Sequence, residues 1–264
     1  MDKPMNISPL ACVHPEAKIG RNTVVGAFVV IEKNVVIGDD CRIYPHVTVL
    51  DGARIGNHCA VFPGAVIAGI PQDLKFAGEE TTAEVGDHTT IRECVTVNRG
   101  TSAKGKTIVG SHCLLMAYCH IAHDCILKDN IIVGNAAQLA GEVEVDDYAI
   151  VSGGTLVHQF TRISKHVMIQ GGSRVGKDIP PYTLIGRDPI AYCGINIVGL
   201  RRRGFTNSQV FLIQDIYRTL YTRGLNTTEA LRCIEAECQP TEERDLILNF
   251  IKTSNRGIVR GSID

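Results

Sequence analysis

The sequence predicts a mainly β protein, a parallel β-helix followed by a small helical domain, and three observations carry that prediction. The first is a period of six: from Val13 to Val175 every sixth residue is Val, Ile or Leu, except Asp73, Glu79 and Ala103. The second is the filling of each unit. A glycine often follows the aliphatic residue, as at Gly20, Gly38, Gly56, Gly110 and Gly134, then two turn-tolerant residues, then a small or β-branched one. The third is a change of texture after PPY at 180–182, where the frame stops and helical spacing begins.

A period of six cannot follow an α-helix, whose faces recur at 3.6 residues. It suits a short strand, a corner and another strand, stacked coil on coil with the aliphatic residues inward. By itself the period gives only a solenoid. The pattern resembles the hexapeptide-repeat, left-handed β-helix family, and the resemblance implies the left hand and a triangular section, with three units to each eighteen-residue coil.

The solenoid is expected over 1–187. Its frame is interrupted at 69–84 (GIPQDLKFAGEETTAE) and 98–108 (NRGTSAKGKTI) and resumes in phase both times, as projecting loops would allow. Loops held by a rigid stack often carry binding residues. Cys41, Cys59, Cys113, Cys119 and Cys125 share one slot, four after the aliphatic residue, and read as compact packing residues. The helical domain is expected over 188–264. Residues 206–223 start at a Thr cap and end at Gly224, NTTE at 226–229 is a capping box opening a helix to Cys238, and a third helix covers 241–253.

Composition narrows the function. The chain has 27 basic and 28 acidic residues, so no whole-chain field favours nucleic acid or a membrane surface. The first twenty residues contain no apolar core of signal-peptide length, and no segment reaches the roughly 18 apolar residues of a membrane span. Ten cysteines at irregular spacing, without a CxxC pair, fit reduced thiols. The expectation is a cytoplasmic protein without a nucleic-acid partner or stable membrane insertion.

Proton-transfer chemistry concentrates at 120–125, HIAHDC. Ile121 takes the inward slot, His123 and Asp124 the two corner positions, and His120 an outward strand position. All three polar groups are therefore expected outside the coil on one edge. A surface histidine alone is usually without function, but one beside an aspartate and near a second histidine is a candidate base. One coil onward, about 4.8 Å away by strand spacing, His123 is followed by Gly141 and then Gln159. Gly141 leaves its backbone N–H open to a close-approaching substrate, or it simply turns a corner.

Longer motifs are more specific. IPQDLKFAGE (70–79), IRECVTVNRGT (91–101), LLMAYCHIAHDC (114–125), GGTLVHQF (153–160) and GINIVGLRRRGF (194–205) closely resemble the UDP-N-acetylglucosamine O-acyltransferase family, the first enzymes of lipid A biosynthesis. The resemblance covers essentially the whole chain. It implies a cytoplasmic homotrimer with active sites between subunits. The reaction it implies moves an R-3-hydroxyacyl group from acyl carrier protein to the 3-hydroxyl of UDP-N-acetylglucosamine, without cofactor or metal.

Carried over by position, the resemblance makes His123 the general base, Asp124 the residue that orients it and Gly141 the oxyanion glycine. Asp73, Lys75, His120, His158, Gln159, Asn196, Arg202 and Arg203 match positions that contact the sugar nucleotide or shape the cleft. The arginines suit a diphosphate, although RRRG at 201–204 also reads as a solvated basic turn. Gly171 matches the position that limits acyl length, and a glycine there implies an open groove and a long chain. Glu142 and Val198 depart from the family, standing where its best-known members have a histidine and an acidic residue. Three other readings remain open at this point: a sister enzyme that N-acylates an amino sugar nucleotide, a metal hydratase resembling the γ-type carbonic anhydrases, and a purely structural solenoid.

Overall fold

The computed structural model describes residues 6–261. Most of its strands are only two residues long, such as Leu114–Leu115, His120–Ile121 and Ile126–Leu127, with a corner between each and the next. Among the described residues the strands form three sheets of eleven, nine and eight strands, which the chain visits in rotation. Pairing is parallel up to the last strand of the first sheet. The register turns the sequence period into columns. Leu115 lies beside Val133, Ile121 beside Leu139, and Leu127 beside Val145. These inward residues meet in one aliphatic core, in which Ile31, Ile67, Leu115, Ile121 and Leu139 are fully buried.

The corners explain the remaining residues of each unit. On one edge Asn22, Asp40, His58, His88, His112 and Asn130 all turn the chain with φ between +55° and +60°. Asn, Asp and His are the non-glycine residues that enter this left-handed region most readily. The small slot after the corner is filled by a compact donor aimed at the next coil. Thr23 and Thr89 donate to the carbonyls of Gly38 and Gly110 at 2.7 Å, and the thiols of Cys41 and Cys125 donate to Gly56 and Ala140 at 3.0 and 3.1 Å. Burial pushes the Cys119 and Cys125 thiols up to about 12, so they stay protonated at neutral pH.

Both insertions are shorter than the frame suggests. Strands run through Gly69 and Asn98 and resume at Thr82 and Lys106, leaving loops at 70–81 and 99–105 instead of 69–84 and 98–108. The flanking residues extend the ladders, as where Ala83 pairs with Ala53 and Thr107. Each insertion leaves from the nine-stranded sheet and returns to the eight-stranded one, so both loops project from the same edge.

The wall continues past 180–182, where helices were expected to begin. Thr183–Gly186 pairs with Met168–Ile169 and then, antiparallel, with Ala191–Ile195. Residues 188–264 therefore open with a strand, which no six-residue frame announces. Four helices follow: α1 (Ile197–Arg202), α2 (Asn207–Thr222), α3 (Thr227–Glu237) and α4 (Glu242–Lys252). Thr206 and Asn226 close capping boxes with Gln209 and Glu229. The Tyr217 hydroxyl donates to the Pro181 carbonyl at 2.5 Å, and the Arg162 guanidinium lies 4.7 Å from the Phe250 ring centre of α4, docking the helices on the solenoid.

Candidate active site

The edge that carries both insertions also carries HIAHDC. The outward residues of the nine-stranded sheet stack as Thr96, His120, Gln138 and Leu156. At the end of this face His123, Gly141 and Gln159 occupy the same corner position in successive coils. Together with Gln72 from the first insertion they line a cleft of about 400 Å³.

This edge is covered rather than open to solvent. His123 and Asp124 do lie outside the aliphatic column, but His123 is only 8% exposed and Asp124 is fully buried. The loop 99–105 covers them. Asp124 turns its corner at φ +60°. Its Oδ2 lies 2.8 Å from Nδ1 of His123, and the carboxylate also accepts from the Thr101 hydroxyl and from the N–H groups of Thr101 and Lys104. Burial raises the Asp124 carboxyl, and these hydrogen bonds outweigh it, so its pKa falls below the ordinary carboxylate value. An ionised carboxylate only accepts, so Nδ1 of His123 carries a proton towards Asp124, and in the neutral tautomer the lone pair lies on Nε2.

Gly141 lies against that ring: a Cβ there would stand 2.5 Å from Cε1 and 2.6 Å from Nε2. Among the described residues its N–H donates to nothing. On a second edge the amides at the same corner position are capped by a side-chain oxygen of the next coil, as Arg21 N–H is by Asp39, Ser111 N–H by Asp129 and Asp129 N–H by Asp147. On the His123 edge the amides of His123, Gly141 and Gln159 all lack such a cap among the described residues, and Gly141 alone has no side chain to screen its N–H. His120 is held by a contact of 2.7 Å between its Nδ1 and the Thr96 hydroxyl, and burial, with His123 nearby, lowers its pKa. The cleft therefore presents two imidazoles beside the exposed amide of a glycine.

The other expected residues divide into groups. Gln159 reaches the cleft. Asp73 and Lys75 sit on the first insertion next to Leu74, which is wholly exposed, and Asp73 accepts from the Lys75 N–H. His158 lies just past the cleft, its Nδ1 3.2 Å from the Arg256 guanidinium. Asn196 caps α1, accepting from Gly199 N–H and donating to the His166 carbonyl. Arg203 stacks on Tyr148 at 5.0 Å, and Arg202 is exposed. Tyr148 and His166 belong to a different solenoid edge, so Asn196, Arg202 and Arg203 do not meet His123 within one chain. Gly171 lies at the far end of the nine-stranded face, 3.0 Å from the Gly153 carbonyl by its would-be Cβ.

Sequence reasoning singled out neither Thr101, Lys104, Thr96, Gln72 nor Gln138. A signal for the loop residues did exist, because both interruptions fall at the corner phase of His123.

Residues 178–259 match the family model described as UDP-N-acetylglucosamine O-acyltransferase, domain 2, and residues 7–108 match the one described as GMPPB C-terminal domain. The acyl-[acyl-carrier-protein]--UDP-N-acetylglucosamine O-acyltransferase of Xylella fastidiosa is 46% identical, over 96% of this chain and 97% of its own. The chain belongs to the UDP-N-acetylglucosamine O-acyltransferase family. The solved structure of the UDP-N-acetylglucosamine acyltransferase from Bacteroides fragilis superposes with a TM-score of 0.95 at 56% identity, covering 96% of this chain and all of that one. That of Francisella novicida gives 0.94 at 40% identity, covering 97% and 95%.

Membership of the O-acyltransferase family makes the solenoid a left-handed β-helix, as the family resemblance implied. The two departures from the family's pattern lie apart in this chain. Glu142 is the corner residue beside Gly141, at φ +59°, while Val198 is 62% exposed on α1. Among the described residues no helix is long and apolar enough to cross a membrane.

Proposed function

We propose that this chain transfers a long R-3-hydroxyacyl group from acyl carrier protein to the 3-hydroxyl of UDP-N-acetylglucosamine, opening lipid A biosynthesis, with His123 as general base. The observation that carries this reading is the pairing of an oriented imidazole with an uncapped amide in one cleft. A sugar hydroxyl is too weak an acid to attack a thioester unaided, and a neutral imidazole can take its proton near neutral pH. As the oxygen attacks, the thioester carbonyl becomes an oxyanion, and the Gly141 N–H is placed to donate to it. The Asp124 carboxylate favours the imidazolium formed meanwhile. Collapse expels the carrier's thiolate, and the imidazolium returns the proton to it. No cofactor is required.

Two further features support a homotrimer with sites between subunits. Asn196, Arg202 and Arg203 lie on a different edge from His123, so a site that uses both needs a second chain. Leu74 and Ile70, 107% and 64% exposed on the first insertion, extend into solvent as a contact segment would. Reduced, protonated core thiols and a soluble nucleotide sugar acceptor fit the cytoplasm.

The test is mass spectrometry of the product formed from UDP-N-acetylglucosamine and a panel of acyl-carrier thioesters, with wild type and His123→Ala. The variant should keep its mass by light scattering and lose about 10²–10⁴-fold in turnover. Near-normal turnover in a folded variant rules the base assignment out.

A further inference from the structure

The polar atoms of the insertion 99–105 converge on a single carboxylate. Asp124 Oδ1 accepts from the Thr101 N–H at 3.0 Å and the Lys104 N–H at 3.2 Å. Its Oδ2 accepts from the Thr101 hydroxyl at 2.7 Å, beside the His123 Nδ1 contact at 2.8 Å. The Thr101 hydroxyl oxygen itself accepts from the Ala103 N–H at 3.2 Å, which directs its own proton to Asp124. Thr101 is 6% exposed and Asp124 is fully buried, so water does not compete for these bonds.

The loop is fastened at several points. The Arg99 N–H donates to the Gly69 carbonyl at 2.9 Å, and its guanidinium lies 5.3 Å from the Phe76 ring centre. The Ser102 N–H donates to Glu79 at 2.9 Å, and the Lys104 ammonium pairs with Glu144 at 3.1 Å. One insertion thus braces the other, and Lys104 ties both to the solenoid wall one coil beyond His123.

We propose that Thr101 is a positioning residue of the reaction: from the insertion 99–105, its hydroxyl and amide fix the rotamer of Asp124, so that one oxygen faces His123 Nδ1 and Nε2 stays aimed into the cleft. The proposal rests on His123 being the base. A carboxylate free to rotate would let the imidazole turn with it, and misplacement of a base by about 1 Å can cost on the order of a hundredfold in rate. The insertion is in this view part of the base's support, reached from the front by a hydroxyl and from the solenoid side by Thr107, whose hydroxyl oxygen accepts the Asp124 N–H at 2.8 Å.

The experiment compares Thr101→Val, Thr101→Ser and His123→Ala with wild type, measuring kcat and KM for UDP-N-acetylglucosamine from pH 5 to 9 and melting temperature. Thr101→Val keeps the shape and the N–H but removes the hydroxyl. It should lower kcat about tenfold or more with KM within about twofold. The acid limb should move to higher pH, because a carboxylate that has lost a donor holds the imidazolium more tightly. Thr101→Ser should restore both. A fall in kcat with an unmoved limb marks a merely structural loop and overturns the proposal, as does a limb moved to lower pH or an unchanged kcat. If Thr101→Val does not fold, Thr101→Ala is read by the same criteria. An active His123→Ala would instead remove the base assignment itself, whereas an inactive one beside an unaltered Thr101→Val limits the failure to Thr101.

Discussion

Gly141 lies so close to the His123 imidazole that a single methyl on Gly141 would fall 2.5 Å from Cε1. The glycine is not needed for a left-handed turn, since the positive φ at this corner belongs to Glu142. What it provides is room for the ring and access to the amide. Gly141→Ala should therefore fold, yet push the imidazole off Asp124 or block the amide. The expected outcome is a loss of about a hundredfold in kcat with a melting temperature close to wild type. Wild-type kcat in the folded variant would refute the role given to this contact.

The period of six located that contact before any coordinates, because inward burial recurs at fixed intervals and eighteen residues carry His123 to Gly141. The same period was blind where the chain leaves the frame. Nothing in the spacing of residues 98–108 says that Thr101 folds back over Asp124, since a loop's direction depends on contacts such as Arg99 with Phe76 and Ser102 with Glu79. The hairpin formed by Thr183–Gly186 and Ala191–Ile195 escaped for a related reason: two strands without periodicity resemble a linker until their partners are known. Asn196 shows a third limit. Motif resemblance pointed to ligand contact, while in the single chain its amide is already used as the cap of α1.

His166 gives the chain a built-in acid sensitivity. Its ring lies between Tyr148 and Tyr182, at 5.0 and 5.7 Å, and its Nδ1 is buried without a partner among the described residues. Burial, then the charges of Arg203 and Lys165, lower its pKa to about 4. The unfolded chain takes up this proton near pH 6.5, so between about 6.5 and about 4 the unfolded state binds more protons and stability falls as pH falls. Above 6.5 the histidine has no such effect. His166→Phe should keep the stack and flatten this arm, raising the melting temperature at pH 5 relative to wild type more than at pH 8. Equal shifts at both pH values would contradict the assignment.

Leu139 tests how far the aliphatic column supports the site. It is fully buried between Ile121 and Val157 in the coil that carries Gly141. Leu139→Ala removes buried methyls where the stacked coils above and below limit collapse, which costs about 2–5 kcal/mol. In a solenoid each coil touches only its neighbours, so the weakening should be local. Hydrogen exchange should quicken most in residues 120–157, with the helical domain little changed. Exchange that rose uniformly along the chain would show the coil to be less independent than its contacts indicate.

Gly171 makes the sharpest functional prediction. It lies on the edge opposite the cleft of the face that carries His120, Gln138 and Leu156, and the glycines beside it leave that edge bare. Among the described residues a Cβ on Gly172 would meet nothing within 4 Å, and one on Gly171 would touch only the Gly153 carbonyl and Ser152. Leu156, 48% exposed, supplies apolar surface between the two edges. An acyl chain running from the cleft toward Gly171 would keep its far methylenes in contact there. Gly171→Met puts a flexible apolar side chain into that space. Each buried methylene is worth about 0.8 kcal/mol, so displacing two should shift kcat/KM by roughly tenfold in favour of the shorter donor. Measured across a series of acyl-carrier thioesters, an unchanged length preference in the variant would place the end of the groove elsewhere.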